Sequence, residues 1–415
     1  VRSDRFLIRQ LVQLGFTANA LRPVPGGPAS VPAFFSGWLT AELAPHLLAL
    51  SALDSGVHTV RHGIHTKRDV TGLLAAAGNI AGYTTLIAGG RRASHEIEDA
   101  LVETLGSGYR DAIRRDPLPD DVSAPLSSLA LPFRMRGVHV SRARRIPYAP
   151  GGRRFELDVF HHEDKPANAP VLLQVHGGAW TIGNKDQQGL PLMLHMAARG
   201  WVCVAVNYPL SPRARWPEHL VALKRAMQWI RTHAVEYGAD PSFVAVTGGS
   251  AGGHLAAMLA LTAGDASLQP GFEDVDTAVQ ACVPHYGVYD FTDESGAKFA
   301  KQRLDSLIRP IVMPHHATYP DDYRAASPLF RITAEAPPFL VLHGRNDTLV
   351  PVAEARSFVA RLREQSKNPV VYAELAGAQH AWDIFPSLRS TGVLRGVARF
   401  LEWCHATRDT ATIPA

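Results

Sequence analysis

The chain has 415 residues, 46% of them hydrophobic, with 42 Lys and Arg against 38 Asp and Glu. That length suits one large α/β domain plus an accessory region. A net charge of +4 with no nucleic-acid motif beside it gives no reason to expect a nucleic-acid partner.

Residues 1–130 carry few strand signals and long Ala, Leu and Gly stretches, the mark of a helical region. Arg2, Arg5 and Arg9 precede an apolar pattern that lacks a small-residue cleavage site, so no cleaved signal peptide is expected. Residues 31–53 are apolar and aromatic but include Glu42, Pro45 and His46, which are costly in lipid. Residues 70–90 contain no charged side chain and are flanked by Lys67, Arg68 and Asp69 on one side and Arg91 and Arg92 on the other. That run is long enough to cross a bilayer, while Asn79, Tyr83 and its threonines also suit a helix buried in a soluble cap. Membrane association through this region is the expectation, with a cytoplasmic protein as the alternative; basic residues on the two sides nearly balance, leaving orientation open.

His95, Ile97, Leu101 and Leu105 mark an amphipathic helix between Ser94 and Arg115, and Pro117 to Pro132 reads as a linker. The arginine-rich segment 131–154 is expected to be a solvated connection, with contact to lipid headgroups as the functional alternative. From 155 to 415 the pattern changes to alternating strands and helices, as in one sheet covered on both faces.

The strand-like run Val171 to Val175 ends in His176-Gly177-Gly178-Ala179-Trp180, a loop able to aim backbone N–H groups into a cleft. Phe243 to Thr247 leads into Gly248-Gly249-Ser250-Ala251-Gly252 and a helical pattern follows. That is the strand, tight turn and helix of a nucleophile elbow, against which Ser250 as an ordinary helix cap is the bland reading. A further strand, Ala278 to Tyr286, precedes an insertion at about 290–331 whose Phe299, Leu304, Leu307, Ile308 and Met313 suit either an acyl-chain wall or the insertion's own core. Pro338 to Leu342 runs into Asp347, and Val370 to Leu375 into His380, giving the order serine, acid, histidine on successive strand ends. Asp290 and Asp383 are the competing acids.

Three cysteines give no disulfide framework: Cys203 and Cys282 sit in apolar strand-like runs and Cys404 in the last helix. The pairs His62/His65, His161/His162 and His315/His316 lack the spacing of metal ligands, so neither a metal nor a cofactor is expected.

With Asn207-Tyr208-Pro209-Leu210-Ser211-Pro212 and Trp216-Pro217, these motifs resemble those of α/β-hydrolases of the hormone-sensitive-lipase-like, bacterial family IV kind. Among them the chain is most similar to the membrane-associated Lip carboxylesterases of mycobacteria and related actinobacteria. The resemblance implies an α/β-hydrolase fold, a mostly parallel sheet with helices on both faces, with a helical N-terminal region and a cap insertion. It departs at Ala179, where the family usually has a third glycine, and at Gly249, where many members carry an acid.

The expected chemistry is hydrolysis of carboxylic esters by Ser250, His380 and Asp347, with an oxyanion hole from Gly177, Gly178, Ala179 and Ala251. Trp180, Gly249 and Tyr286 are candidate pocket residues. The partner is then a small-molecule ester or lipid substrate, and the sequence leaves the oligomeric state open. Two rivals stand: an amide or formamide hydrolase related to kynurenine formamidases or prenylcysteine methylesterases, and a catalytically silent membrane-bound scaffold of the same fold.

Overall fold

The computed structural model describes residues 2–24, 26, 29–113, 126–297 and 299–408. Eight strands form one sheet in the order β1-β2-β4-β3-β5-β6-β7-β8. They are β1 (Val140–Pro147), β2 (Glu156–His162), β3 (Ala169–Val175), β4 (Val202–Val206), β5 (Ala239–Gly249), β6 (Ala281–His285), β7 (Phe339–Gly344) and β8 (Val370–Leu375). β2 pairs antiparallel with β1 and β4, and every pair from β4 to β8 is parallel. Strands β3, β4, β6 and β7 are buried throughout. Their near-continuous apolar sequences therefore suit a sheet covered on both faces.

The arginine-rich segment is more than a connection, since Val140–Pro147 forms the edge strand β1. Arg142 there ion-pairs with Asp158 and Asp186 and lies over the Phe160 ring at 4.6 Å. Most of the expected proline-rich linker lies outside the described residues; its end, Leu126–Ala130, is one short helix.

Four helices precede the sheet: α1 (Arg2–Leu21), α2 (Ser30–Glu42), α3 (Ala44–His62) and α4 (Lys67–Leu105). The apolar run 31–53 does not form one continuous span. The chain turns at Leu43, Pro45 lies at the start of α3, and Glu42 is bound to residues near the other end of the chain, with Arg389 Nε at 2.9 Å and Ser387 Oγ at 2.6 Å. Residues 70–90 do lie in one helix, and α4, with 39 residues, is long and apolar enough to cross a membrane. One face of α4 packs inside the bundle, where Asn79 is fully buried. Its Nδ2 donates to Gln10 O at 3.0 Å, and its Oδ1 accepts from Thr17 Oγ1 at 3.1 Å.

The bundle and the sheet share a core. Phe34, Ile97 and Leu101 belong to the same buried cluster as Leu340, Val371 and the last helix, α9 (Leu388–Thr407). The other helices used below are α5 (Leu190–Ala198), α6 (Glu218–His233), α7 (Ala251–Leu261) and α8 (Val352–Gln365). The insertion at 290–331 contains only short helical pieces and a wider π-type turn at Leu304–Val312. Leu304, Ile308 and Met313 are buried in the main core, so they pack the cap against the domain.

Candidate active site

The site lies at the carboxyl ends of the parallel strands, the position an open α/β sheet leaves for a ligand. β5 ends at Gly249 and α7 begins at Ala251, so a single residue makes the turn. Ser250 sits at φ 59°, ψ −120°, a strained conformation for a residue with a side chain. The turn is tight enough that a Cβ on Gly252 would come within 2.2 Å of Val175 O. The Ser250 N–H donates to His285 O at 3.0 Å, which fixes the elbow to β6.

Asp347 follows β7 and His380 follows β8, and the two meet: His380 Nδ1 lies 2.6 Å from Asp347 Oδ2. The other carboxylate oxygen accepts from the N–H groups of Leu349 and Val350, each at 2.8 Å. Burial alone would raise the Asp347 pKa, but the charge of His380 and the hydrogen bonds of His343 and His380 outweigh it and hold the carboxyl well below its usual range. Gln379 was not anticipated from the sequence. Its Oε1 accepts from Thr348 N at 2.8 Å and His380 N at 2.9 Å, clamping the acid loop to the histidine loop. Among the described residues no hydrogen bond joins Ser250 Oγ to His380 Nε2. Such contacts commonly tighten only when substrate is bound.

The loop after β3 lies against the elbow: a Cβ on Gly177 would be 3.1 Å from Ser250 Cβ. Gly177 N–H is occupied, donating to Gln188 Oε1 at 2.6 Å, so Gly177 shapes the loop. Gly178, Ala179 and Trp180 all have positive φ, at 115°, 52° and 59°. The N–H groups of Gly178, Ala179 and Ala251 have no acceptor among the described residues, which leaves them available to a ligand oxygen.

Two histidines support this loop. His176 stacks on Tyr208 with ring centroids 4.3 Å apart, and burial lowers its pKa to about 4. Trp180 is 1% exposed and donates through Nε1 to His254 Nδ1 at 3.2 Å, while His254 Nε2 donates to Ala326 O at 2.8 Å. Trp180 thus supports the loop from beneath, and His254 links loop, elbow helix and cap. Only its position on the helix after the elbow hinted at that role.

The helical bundle also reaches the site. Phe34 of α2 meets the His380 ring edge-on at 5.9 Å, Thr348 Oγ1 donates to Ser30 O at 3.1 Å, and Asn346 Nδ2 to Ala20 O at 3.2 Å. Nothing local in the sequence around Phe34 signals that contact. Asp290, a competing acid, is used within the cap, accepting from Thr292 N at 2.7 Å and Ser295 N at 2.8 Å. Asp383 pairs with His285 and Tyr286 instead of His380. Among the described residues, no three His, Cys, Asp or Glu side chains are placed to hold a metal ion.

A family model described as BD-FAE matches residues 157–362. The chain is 42% identical to the probable carboxylic ester hydrolase LipM of Mycobacterium tuberculosis, covering 100% of this chain and 96% of that protein. It is also 42% identical to esterase LipQ of the same organism, over 77% of this chain and 76% of that one. Among solved structures, esterase B from Lactobacillus rhamnosis superposes with a TM-score of 0.55 at 18% identity, over 67% of this chain and 92% of the other, a likeness of fold.

Proposed function

Because this chain belongs to the family of the mycobacterial Lip carboxylic ester hydrolases, with the α/β-hydrolase fold, we propose that it cleaves esters with Ser250 as the nucleophile. Ser250 Oγ attacks the ester carbonyl carbon while His380 Nε2 takes the hydroxyl proton. Asp347 holds the imidazole with its proton on Nδ1 and stabilises the imidazolium. The N–H groups of Gly178, Ala179 and Ala251 receive the oxygen that becomes negative. Collapse of the tetrahedral intermediate breaks the C–O bond, and the alcohol leaves with the proton from His380. Water then attacks the acyl-enzyme by the same route, releasing the carboxylic acid and restoring Ser250. The chemistry needs no cofactor.

The observation that carries this reading is the 2.6 Å Asp347–His380 hydrogen bond at the carboxyl ends of the sheet whose strand β5 delivers a serine held at φ 59°, ψ −120°. A series of p-nitrophenyl esters from acetyl to palmitoyl, run beside N-formylkynurenine, tests it. Ester turnover that vanishes in Ser250→Ala is expected. Faster cleavage of the formamide would place the enzyme among amide hydrolases, and an intact fold with no turnover of either would favour the silent scaffold.

The helical bundle attaches this enzyme to a bilayer by lying in its interface. Outward-facing Ile8, Leu11, Val12 and Phe16 of α1 and Leu50, Leu53, Val57 and Val60 of α3 are all exposed. The two helices are neighbours, joined by Arg9 and Asp54 at 2.6 Å. Exposed Arg5 and Arg61 lie on the same two helices, suited to anionic headgroups. Drawing α4 alone through the membrane would break the Asn79 hydrogen bonds inside the bundle, so interfacial seating is favoured.

A further inference from the structure

Beside the proposed triad lies a second buried Asp–His pair that the chemistry above leaves unused. His285 and Tyr286 stand at the end of β6, and Asp383 is in the loop that carries His380; their exposures are 2%, 3% and 8%. Asp383 Oδ2 lies 2.5 Å from His285 Nδ1, and Asp383 Oδ1 accepts the Tyr286 hydroxyl. Trp382 stacks on the His285 ring at 5.6 Å with an interplanar angle of 6°, which fixes that imidazole in its plane. The Tyr286 ring in turn lies 4.5 Å from the His380 imidazole.

The backbone holds the tyrosine in place. Its φ is +39°, a left-handed value that a bulky residue adopts only when its surroundings impose it. Its N–H donates to Leu342 O at 2.7 Å, on the strand that leads to Asp347. The space it fills is the one beside the nucleophile: a Cβ on Gly249 would lie 2.6 Å from the Tyr286 hydroxyl oxygen and 2.8 Å from its ring. Burial, the Asp383 charge and the hydrogen bond to Asp383 all push the Tyr286 pKa up, so its hydroxyl keeps the proton it donates.

We propose that Tyr286 is a positioning residue for His380, anchored by Asp383 and His285, so that this second pair keeps the imidazole plane aligned between Asp347 and Ser250. The inference rests on the ester-hydrolase reading of the site. Four structural facts meet in it: the ring on the imidazole, the hydroxyl on the carboxylate, the carboxylate on a stacked histidine, and glycine at 249, where a side chain would displace the ring. A misplaced general base slows the chemical step far more than it weakens substrate binding, because proton transfer depends on sub-ångström geometry.

The test is a set of kcat and KM measurements on a short-chain p-nitrophenyl ester, with thermal melts on every variant. Tyr286→Ala is expected to lower kcat by about 100-fold with KM within about threefold of the parent. Tyr286→Phe should fall between Tyr286→Ala and the parent, because the ring stays while its hold on Asp383 is lost. Gly249→Ala should lower kcat in the parent, by pushing the ring, yet have little further effect in the Tyr286→Ala background. Tyr286→Ala turnover within twofold of the parent overturns the proposal, as does a loss confined to KM or to the melting temperature. Ser250→Ala runs alongside: if parent and Ser250→Ala turn over equally, the reading of the active site itself is wrong, whatever Tyr286 does.

Discussion

The helical bundle and the sheet domain treat apolar surface in opposite ways. Among the described residues, 21 of the 24 exposed large apolar side chains precede residue 139, and only Ile182, Val235 and Tyr319 follow it. The sheet domain hides its hydrophobic residues in a core on both faces of the strands, as a water-soluble domain does. The bundle uses its inner face to brace the loops that carry Asp347 and His380 and turns apolar side chains outward among exposed arginines. The proposed chemistry and the proposed attachment therefore fall to two regions that share a core. The joint between them runs through Phe34, which meets His380, Glu42, which pairs with Arg389, and Glu98 of α4, which pairs with Arg399 of α9 at 2.8 Å.

The largest effect is expected where the sheet domain's chemistry is broken. Ser250→Ala and His380→Ala should each lower ester turnover by about 10⁴-fold or more and Asp347→Asn somewhat less, with circular dichroism unchanged. Asp347→Asn within a few fold of the parent would mean that another acid orients His380. In the loop after β3, Gly178→Val should abolish activity, since Gly178 has φ 115° and a Cβ there would lie 2.2 Å from Ile182 O. Ala179→Gly should be tolerated, because it keeps the N–H and relieves a positive φ. Equal damage from both, read as kcat/KM, would make the loop structural only.

Breaking the joint comes next. Glu42→Ala leaves Arg389 buried without its partner, both side chains being 1% exposed, and should cost about 3–5 kcal/mol in denaturant unfolding. A cost under about 1 kcal/mol would show the bundle to be weakly coupled to the sheet.

How much of this division was legible in the sequence depended on range. The elbow, the His176 loop and the strands before Asp347 and His380 were readable because each is a local strand, turn and helix pattern, and the β3–β5 and β7–β8 pairings bring their ends to one edge of the sheet. β1 was not readable as a strand. Its run Arg142, Arg144 and Arg145 puts charge on both faces, and the strand forms because Asp158 on β2 meets Arg142. The break of the 31–53 run at Leu43 has a local mark in Pro45, at the start of α3, but the pairing of Glu42 with Arg389 crosses 347 positions, and the meeting of Phe34 with His380 is equally non-local. Asp383 was visible as a competing acid, but its pairing with His285 crosses 98 positions. No periodicity carries that information.

Acid should weaken the sheet domain through its buried histidines. Burial lowers the pKa of His176 and His219 to about 4 and of His254 to about 3, below the unfolded value near 6.5. The unfolded chain binds more protons in that window, so the contribution of these groups is complete above about pH 6.5 and is lost as pH falls toward 4. Each adds a slope of at most about 1.4 kcal/mol per pH unit. Denaturation midpoints across pH 4 to 7 measure it, and His254→Gln should flatten the curve. A curve as steep as the parent's would mean that other groups drive acid unfolding.

The smallest effect on turnover belongs to the bundle's outer face. Leu53→Glu with Val57→Glu should keep kcat on a soluble ester within about twofold while lowering flotation with anionic vesicles by about tenfold or more. Unchanged flotation would remove the attachment role from α3.

The claim that Ser250 forms the acyl-enzyme is tested most directly by intact-protein mass spectrometry after reaction with a p-nitrophenyl alkylphosphonate, followed by peptide mapping. One adduct per chain is predicted, on the peptide containing Ser250, with release of p-nitrophenol and loss of ester turnover in step with labelling. Stoichiometric labelling of another residue, or full ester turnover in the labelled protein, would contradict it.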